Sequence, residues 1–195
     1  RGEVITEDAE YKGARVLFRA FIGTARIPMQ IDIGFGDALV PPAEEITYPT
    51  HLEGFPAPKL RGYRREASIA EKLHAMISKG SWNSRMKDFY DIWALSREFE
   101  FDGPTVAEAI DATFASRSTD LHPDFHELAQ ELIAEPNKQT QWGAFLRKRR
   151  LPHAPAQFSD AMDAIELFLG PAVEALVEGR AFAATWAPPG PWVRR

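Results

Sequence analysis

The 195-residue sequence contains no cysteine, which excludes disulfide cross-links and thiolate catalysis. It also lacks any apolar run near the roughly 20 residues that a membrane-spanning helix requires, and nothing at its N-terminus reads as a secretory signal. The expectation is a soluble, cytoplasmic protein with no membrane association. Positive charge is in the minority, with 23 Lys and Arg against 28 Asp and Glu, a net charge of -5 and a pI near 5.6. That balance argues against broad electrostatic binding of nucleic acid, which needs a surplus of cations to release counterions. The sequence opens at Arg1 without a methionine, in a polar approach to a strand, so further chain is expected upstream.

What is present is enough hydrophobic sequence, 45 %, for one substantial core and one or two domains. Two local basic clusters run against the overall charge: Lys59, Arg61, Arg64 and Arg65, then Arg147, Lys148, Arg149 and Arg150. Their ordinary reading is solvated surface charge.

Residues 14–22 place Val16, Phe18, Ala20 and Ile22 on one side, and residues 27–33 do the same with Ile27, Met29, Ile31 and Ile33. This period of two predicts an antiparallel strand pair joined by a turn at Gly23-Thr24-Ala25-Arg26. Pro28 places the start of the second strand beside a sheet edge or after a bulge, because proline donates nothing to a ladder. Prolines at 41, 42, 49, 56 and 58 make residues 40–59 a connecting stretch that wraps the sheet, with one short strand near residues 46–48.

Helical periodicity then takes over. Ser68-Ile69-Ala70-Glu71 reads as a capping box opening a helix whose stripe is Ile69, Leu73, Met76 and Ile77, closed by Gly80. Further helices are predicted over residues 84–97, 105–117, 123–134, 137–149 and 159–178, the last interrupted at Gly170-Pro171. The tail from residue 185, with Trp186 and Trp192, is expected to dock, because indoles are costly to leave in water. The fold class is α+β: a β-rich part over residues 1–66, a helical domain over 67–180, and an extended tail over 181–195.

Among residues able to carry chemistry, Asp32 shares with Gln30 the strand face opposite Ile31 and Ile33, where it is either a Mg2+-holding carboxylate beside a cleft or a solvated strand aspartate. The segment 83–93 carries Met86, Phe89, Tyr90, Ile92 and Trp93 around much of one helix, so Asp88 and Asp91, one turn apart, fall on no obviously solvated face. Such carboxylates need partners: Arg85, Lys72 or Lys87 in a structural ion pair, or a metal-bound nucleotide. Lys72 lies at the edge of its helix stripe, from which its ammonium reaches a cleft as a point charge for phosphate or snorkels to solvent. His122 and His126 have i, i+4 spacing, but Pro123 sets His122 at a helix start, where the rings diverge, and no third zinc ligand stands out. Gly34-Phe35-Gly36-Asp37 is followed by neither the helix nor the lysine of a phosphate loop.

Taken in order, QIDIGFGD at 30–37, IAEKLHAM at 69–76 and RMKDFYDI at 85–92, with QWGAFL at 141–146, resemble the AbiEii/AbiGii family of nucleotidyltransferase toxins. The resemblance runs from about Phe18 to Leu151 and its two middle blocks are the more specific. It implies a polymerase-β-like core followed by a helical bundle, Mg2+ and a nucleoside triphosphate as ligands, an RNA such as tRNA as acceptor, and a role in a toxin–antitoxin or phage-defence pair with a cognate antitoxin. By the same resemblance, Asp32 completes the metal site, Lys72 contacts the triphosphate with Arg85 and Lys87 as further phosphate contacts, Asp88 is the following catalytic aspartate and Asp91 is auxiliary. The family opens with a Gly-Ser or Gly-Thr loop and an Asp-x-Asp strand, and no such pair precedes Asp32 here, so the 195 residues alone are expected to be inactive. The alternative is a non-catalytic helical interaction module that binds a partner protein or RNA.

Overall fold

In the computed structural model the described residues are 2–5, 13–35 and 39–195, the first four by their backbone alone. They form an α+β fold whose chain divides into two compact units, Arg1–Ala38 and Leu39–Arg195.

The first unit holds strands β1 (Gly2–Ile5), β2 (Gly13–Ile22) and β3 (Ala25–Gly34) in an antiparallel sheet of order β1-β2-β3. The expected hairpin forms, and its turn tightens to Gly23-Thr24, with Gly23 at a φ of 58° that glycine adopts without a Cβ penalty. Register pairs Val16 with Ile31, Phe18 with Met29 and Ala20 with Ile27, so the apolar side chains of both strands share one face. Pro28 sits inside β3 opposite Arg19; β3 is an edge strand, and pairing runs without a bulge from Ala25 to Gly34.

The second unit begins with a two-stranded ladder, β4 (Glu44–Thr47) against β5 (Lys59–Gly62), the second of which the proline-rich sequence did not suggest. Six helices follow: α1 (Arg65–Lys79), α2 (Met86–Glu98), α3 (Gly103–Ser116), α4 (Phe125–Ala134), α5 (Lys138–Arg149) and α6 (Phe158–Val177). Helix α6 packs against α2, α3, α4 and α5, and α1 packs against α2 and α3. Ile69, Leu73, Phe89, Ile92, Ile165 and Phe168 are fully buried in the shared core.

Two expectations about helix ends are corrected. Helix α1 starts at Arg65, so Ser68 is its fourth residue, its N–H donates to the Arg64 carbonyl, and the capping box with Glu71 does not form. Tertiary contacts draw the start forward: Ala67 is buried, Arg64 pairs with Glu66 at 3.6 Å, and the Arg65 guanidinium lies 3.8 Å from the Phe99 ring centre. Helix α6 runs unbroken through Pro171. Ala172, Val173 and Ala175 beyond the proline are as buried as Phe168 and Leu169 before it, and that burial offsets the roughly 3 kcal/mol an internal proline costs.

The tail docks, as expected, and it does so as a sheet. Strands β6 (Phe101–Asp102), β7 (Ala184–Trp186) and β8 (Trp192–Arg194) pair antiparallel in that order. Trp186 donates its indole N–H to the Ser96 carbonyl and Trp192 to that of Phe168, each at 2.7 Å.

Candidate functional site

Helices α1 and α2 cross with their apolar stripes inward, which leaves Lys72 on the flank of α1 beside the fully buried Leu73, facing the flank of α2 that carries Asp88 and Asp91. The Lys72 ammonium lies 3.1 Å from Asp88 Oδ1 and 2.7 Å from Asp91 Oδ2, while Lys87 joins the cluster through Asp91. The side chains of Lys72, Asp88 and Asp91 are 20 %, 16 % and 20 % exposed, so the cluster is shielded without being sealed. Burial by itself would depress the Lys72 pKa, but the hydrogen bond with Asp91 and the charges of Asp88 and Asp91 outweigh it and hold the ammonium above its ordinary value. Lys72 is therefore a firmly protonated cation clamped between two carboxylates. The four side chains are together neutral, so an incoming polyanion would have to draw Lys72 or Lys87 away from its aspartates.

Asp32 lies in the first unit, on the face of β3 opposite Ile31 and Ile33. Both of its oxygens accept from the Arg15 guanidinium, at 2.8 and 3.0 Å, and from the Gln30 amide, at 3.0 and 2.8 Å. The bond from Arg15 is the main reason its pKa lies below the usual carboxylate value. Arg85 caps the start of α2 by position, with its backbone N–H on Asn83 Oδ1 at 2.9 Å, and its side chain is exposed. Lys87 is likewise mostly exposed.

These surroundings decide how far the described residues suit Mg2+. Asp32 is occupied by a guanidinium, Asp88 and Asp91 by an ammonium, and no group of three or more His, Asp or Glu side chains among the described residues is set to hold a metal. By themselves they do not make a Mg2+ site. His122 and His126 engage different partners: His122 Nδ1 meets the Asp124 backbone, and His126 Nδ1 meets Glu166 at 2.7 Å. His126 and Glu166 line a cleft of about 780 Å3 between α4 and α6, apart from Lys72 and Asp88. Of the glycine-rich segment after β3, Gly36 and Asp37 lie outside the described residues.

The family model described as nucleotidyl transferase AbiEii toxin, type IV TA system, matches residues 1–177 of the 195. The chain belongs to the AbiEii nucleotidyltransferase toxin family. No curated protein and no solved structure matched it. No helix among the described residues of this AbiEii-family chain is long and apolar enough to cross a membrane.

Two features of this AbiEii-family chain were not read from sequence. Asp91, expected only as an auxiliary group, is closer to Lys72 than Asp88 is; the i, i+3 spacing of the two aspartates was the available signal. Lys138 is 2 % exposed and ties α5 to the turn before α2, and nothing in the sequence distinguishes it from a solvated lysine in a first helical turn.

Proposed function

We propose that this protein is a nucleotidyltransferase toxin that transfers a nucleotide from a nucleoside triphosphate to an RNA acceptor, with tRNA the first candidate, and that Lys72, Asp88 and Asp91 form the centre of its site. The observation that carries this reading is the meeting of the sequence blocks AEKLHA and RMKDFYD at one ion cluster on the flank of the α1–α2 pair. In the reaction, an acceptor hydroxyl oxygen bonds to the α-phosphorus, the bond to pyrophosphate breaks, and the hydroxyl proton leaves to a base. Lys72 supplies a fixed positive charge for the polyphosphate, Asp88 and Asp91 hold that charge in place until substrate competes for it, and Arg85 and Lys87 extend the cationic side. By the family resemblance Asp32 would be a strand carboxylate for a divalent metal, a role that requires Arg15 to release it. Nucleotidyltransferases generally use a divalent metal, and Mg2+ is the ion expected, its chemistry being to offset charge on the triphosphate. A cognate antitoxin is the expected partner, phage defence the expected setting and the cytoplasm the expected compartment.

A second reading is favoured by the neutrality of the cluster: Lys72 acts as a strut between two helices of a non-catalytic module that binds a protein or RNA. One assay separates the two. The gene product is incubated with each radiolabelled nucleoside triphosphate, Mg2+ and total tRNA beside Asp88→Asn and Lys72→Met variants. Label on RNA from the parent, lost in both folded variants, is the expected result; no transfer with any nucleotide by a folded parent would leave the binding module.

A further inference from the structure

The turn between α1 and α2 holds one large side chain in the open. Trp82 is 91 % exposed, the highest value of any large apolar residue among those described. An indole is large enough that leaving it in water forgoes a substantial hydrophobic gain.

The backbone beneath it is unusually constrained. Gly80, at a φ of 48°, ends α1 with its N–H on the Met76 carbonyl, and the Asn83 N–H returns to the Gly80 carbonyl at 3.0 Å. Asn83 is fully buried; its amide donates to the Ala75 carbonyl at 3.1 Å and its Oδ1 accepts from the Arg85 N–H at 2.9 Å. From the other side, the buried Lys138 ammonium donates to the carbonyls of Ser81 at 2.8 Å and Asn83 at 2.6 Å, the two residues that flank Trp82. Burial drives the Lys138 pKa down against the pull of Glu135, so this clamp carries a real desolvation cost. A tryptophan exposed because its loop is loose would show none of these bonds.

Its neighbours along the chain are polar or cationic. Ser81, Ser84 and Arg85 are exposed, and the Arg85 side chain has no ion pair among the described residues. Within residues 81–85 Trp82 is the one exposed large apolar side chain. An exposed aromatic on a constrained turn, three residues from an exposed arginine, offers a face on which an unpaired base stacks and a cation for a neighbouring phosphate.

We propose that Trp82 is a stacking platform for an unpaired base of the RNA acceptor, with Arg85 meeting the adjoining phosphate. The proposal rests on the nucleotidyltransferase reading and says where that enzyme holds its acceptor. The test is equilibrium binding of a fluorescent single-stranded oligoadenylate of about 10 nucleotides, followed by anisotropy, to the parent, Trp82→Ala, Trp82→Phe and Arg85→Ala proteins. Trp82→Ala is expected to weaken binding about 5- to 100-fold and Trp82→Phe by no more than about threefold, the range a base–aromatic stack covers. Arg85→Ala is expected to lower the salt dependence by the equivalent of about one phosphate contact. Unchanged RNA affinity in a Trp82→Ala protein that melts like the parent would overturn the proposal, as would a parent that binds no RNA. Loss of a partner protein on Trp82→Ala with RNA affinity intact would overturn it in favour of a protein contact. If the parent transfers no nucleotide yet Trp82→Ala weakens RNA binding, the platform stands and the enzyme reading falls; if transfer is present and RNA affinity ignores Trp82, the enzyme reading stands and the platform falls.

Discussion

Asp32 and Asp88 are both aspartates on elements with a strongly apolar side, and each is answered by a cation, yet their settings differ. Asp32, on the hairpin of the first unit, is 45 % exposed and meets Arg15 as its cross-strand neighbour, while the apolar face behind it keeps Ile31 at 50 % and Ile33 at 40 % exposed. Asp88, on α2, is 16 % exposed and meets a lysine from another helix above a core where Phe89 and Ile92 are fully buried. An exposed ion pair exchanges one set of hydrated contacts for another and gains little. A shielded one commits both partners, because removing either leaves the other with little water to replace it. The hairpin pair is therefore local chemistry on a surface, whereas the helical cluster is part of how α1 and α2 are held.

The difference in burial makes the largest prediction. Ile92→Ala should destabilise the protein by about 2–5 kcal/mol in chemical denaturation, from lost burial and the cavity it leaves. Ile31→Ala, on the half-exposed face, should cost only about 1 kcal/mol. Equal losses would mean that the hairpin face is covered in solution.

Next in size is the ion cluster. Lys72→Met should cost about 1–3 kcal/mol by leaving Asp88 and Asp91, neighbours on one flank of α2, without the ammonium between them, and Asp91→Asn should recover part of that loss in the double variant. Arg15→Met should cost less, with a smaller shift of the denaturation midpoint than Lys72→Met. A Lys72→Met protein as stable as the parent would place the cluster with the surface pairs.

The same cluster has a pH signature of definite sign. The folded Lys72 pKa is raised above 10.5, so its contribution is fully present below pH 10.5 and is lost as pH rises through the folded value. The stability difference between parent and Lys72→Met, followed by denaturation at stepped pH, should stay constant through neutral pH and close only in the alkaline range above 10.5.

The smallest effect belongs to His126, held above 6.5 chiefly by its bond to Glu166. Its contribution is present below pH 6.5 and lost as pH rises through its higher folded value. Its proton resonances should titrate above 6.5, and Glu166→Gln should bring the midpoint back down.

Much of this was legible in the chain. The alternation of residues 14–33 specified the hairpin, because a strand with one apolar face admits one register. The stripes of α1 to α5 appeared at nearly their observed positions because amphipathic periodicity is a local signal. What failed was decided by distant partners. The start of α1 lies with Arg65 because Phe99, more than 30 residues on, receives its guanidinium, and a capping-box pattern contains no such information. Helix α6 passes through Pro171 because the residues after it are wanted by the core.

The sequence by itself determined the α+β class, the hairpin, the helical succession, the docking of the tail and the family, since these rest on periodicity and on short blocks of residues in order. The tertiary structure alone decided that Lys72 stands between Asp88 and Asp91 and that Lys138 fixes the turn displaying Trp82. Each is a pairing of charges or polar groups from separate elements. Such pairings depend on the relative height and rotation of packed helices and strands, which local sequence patterns do not encode.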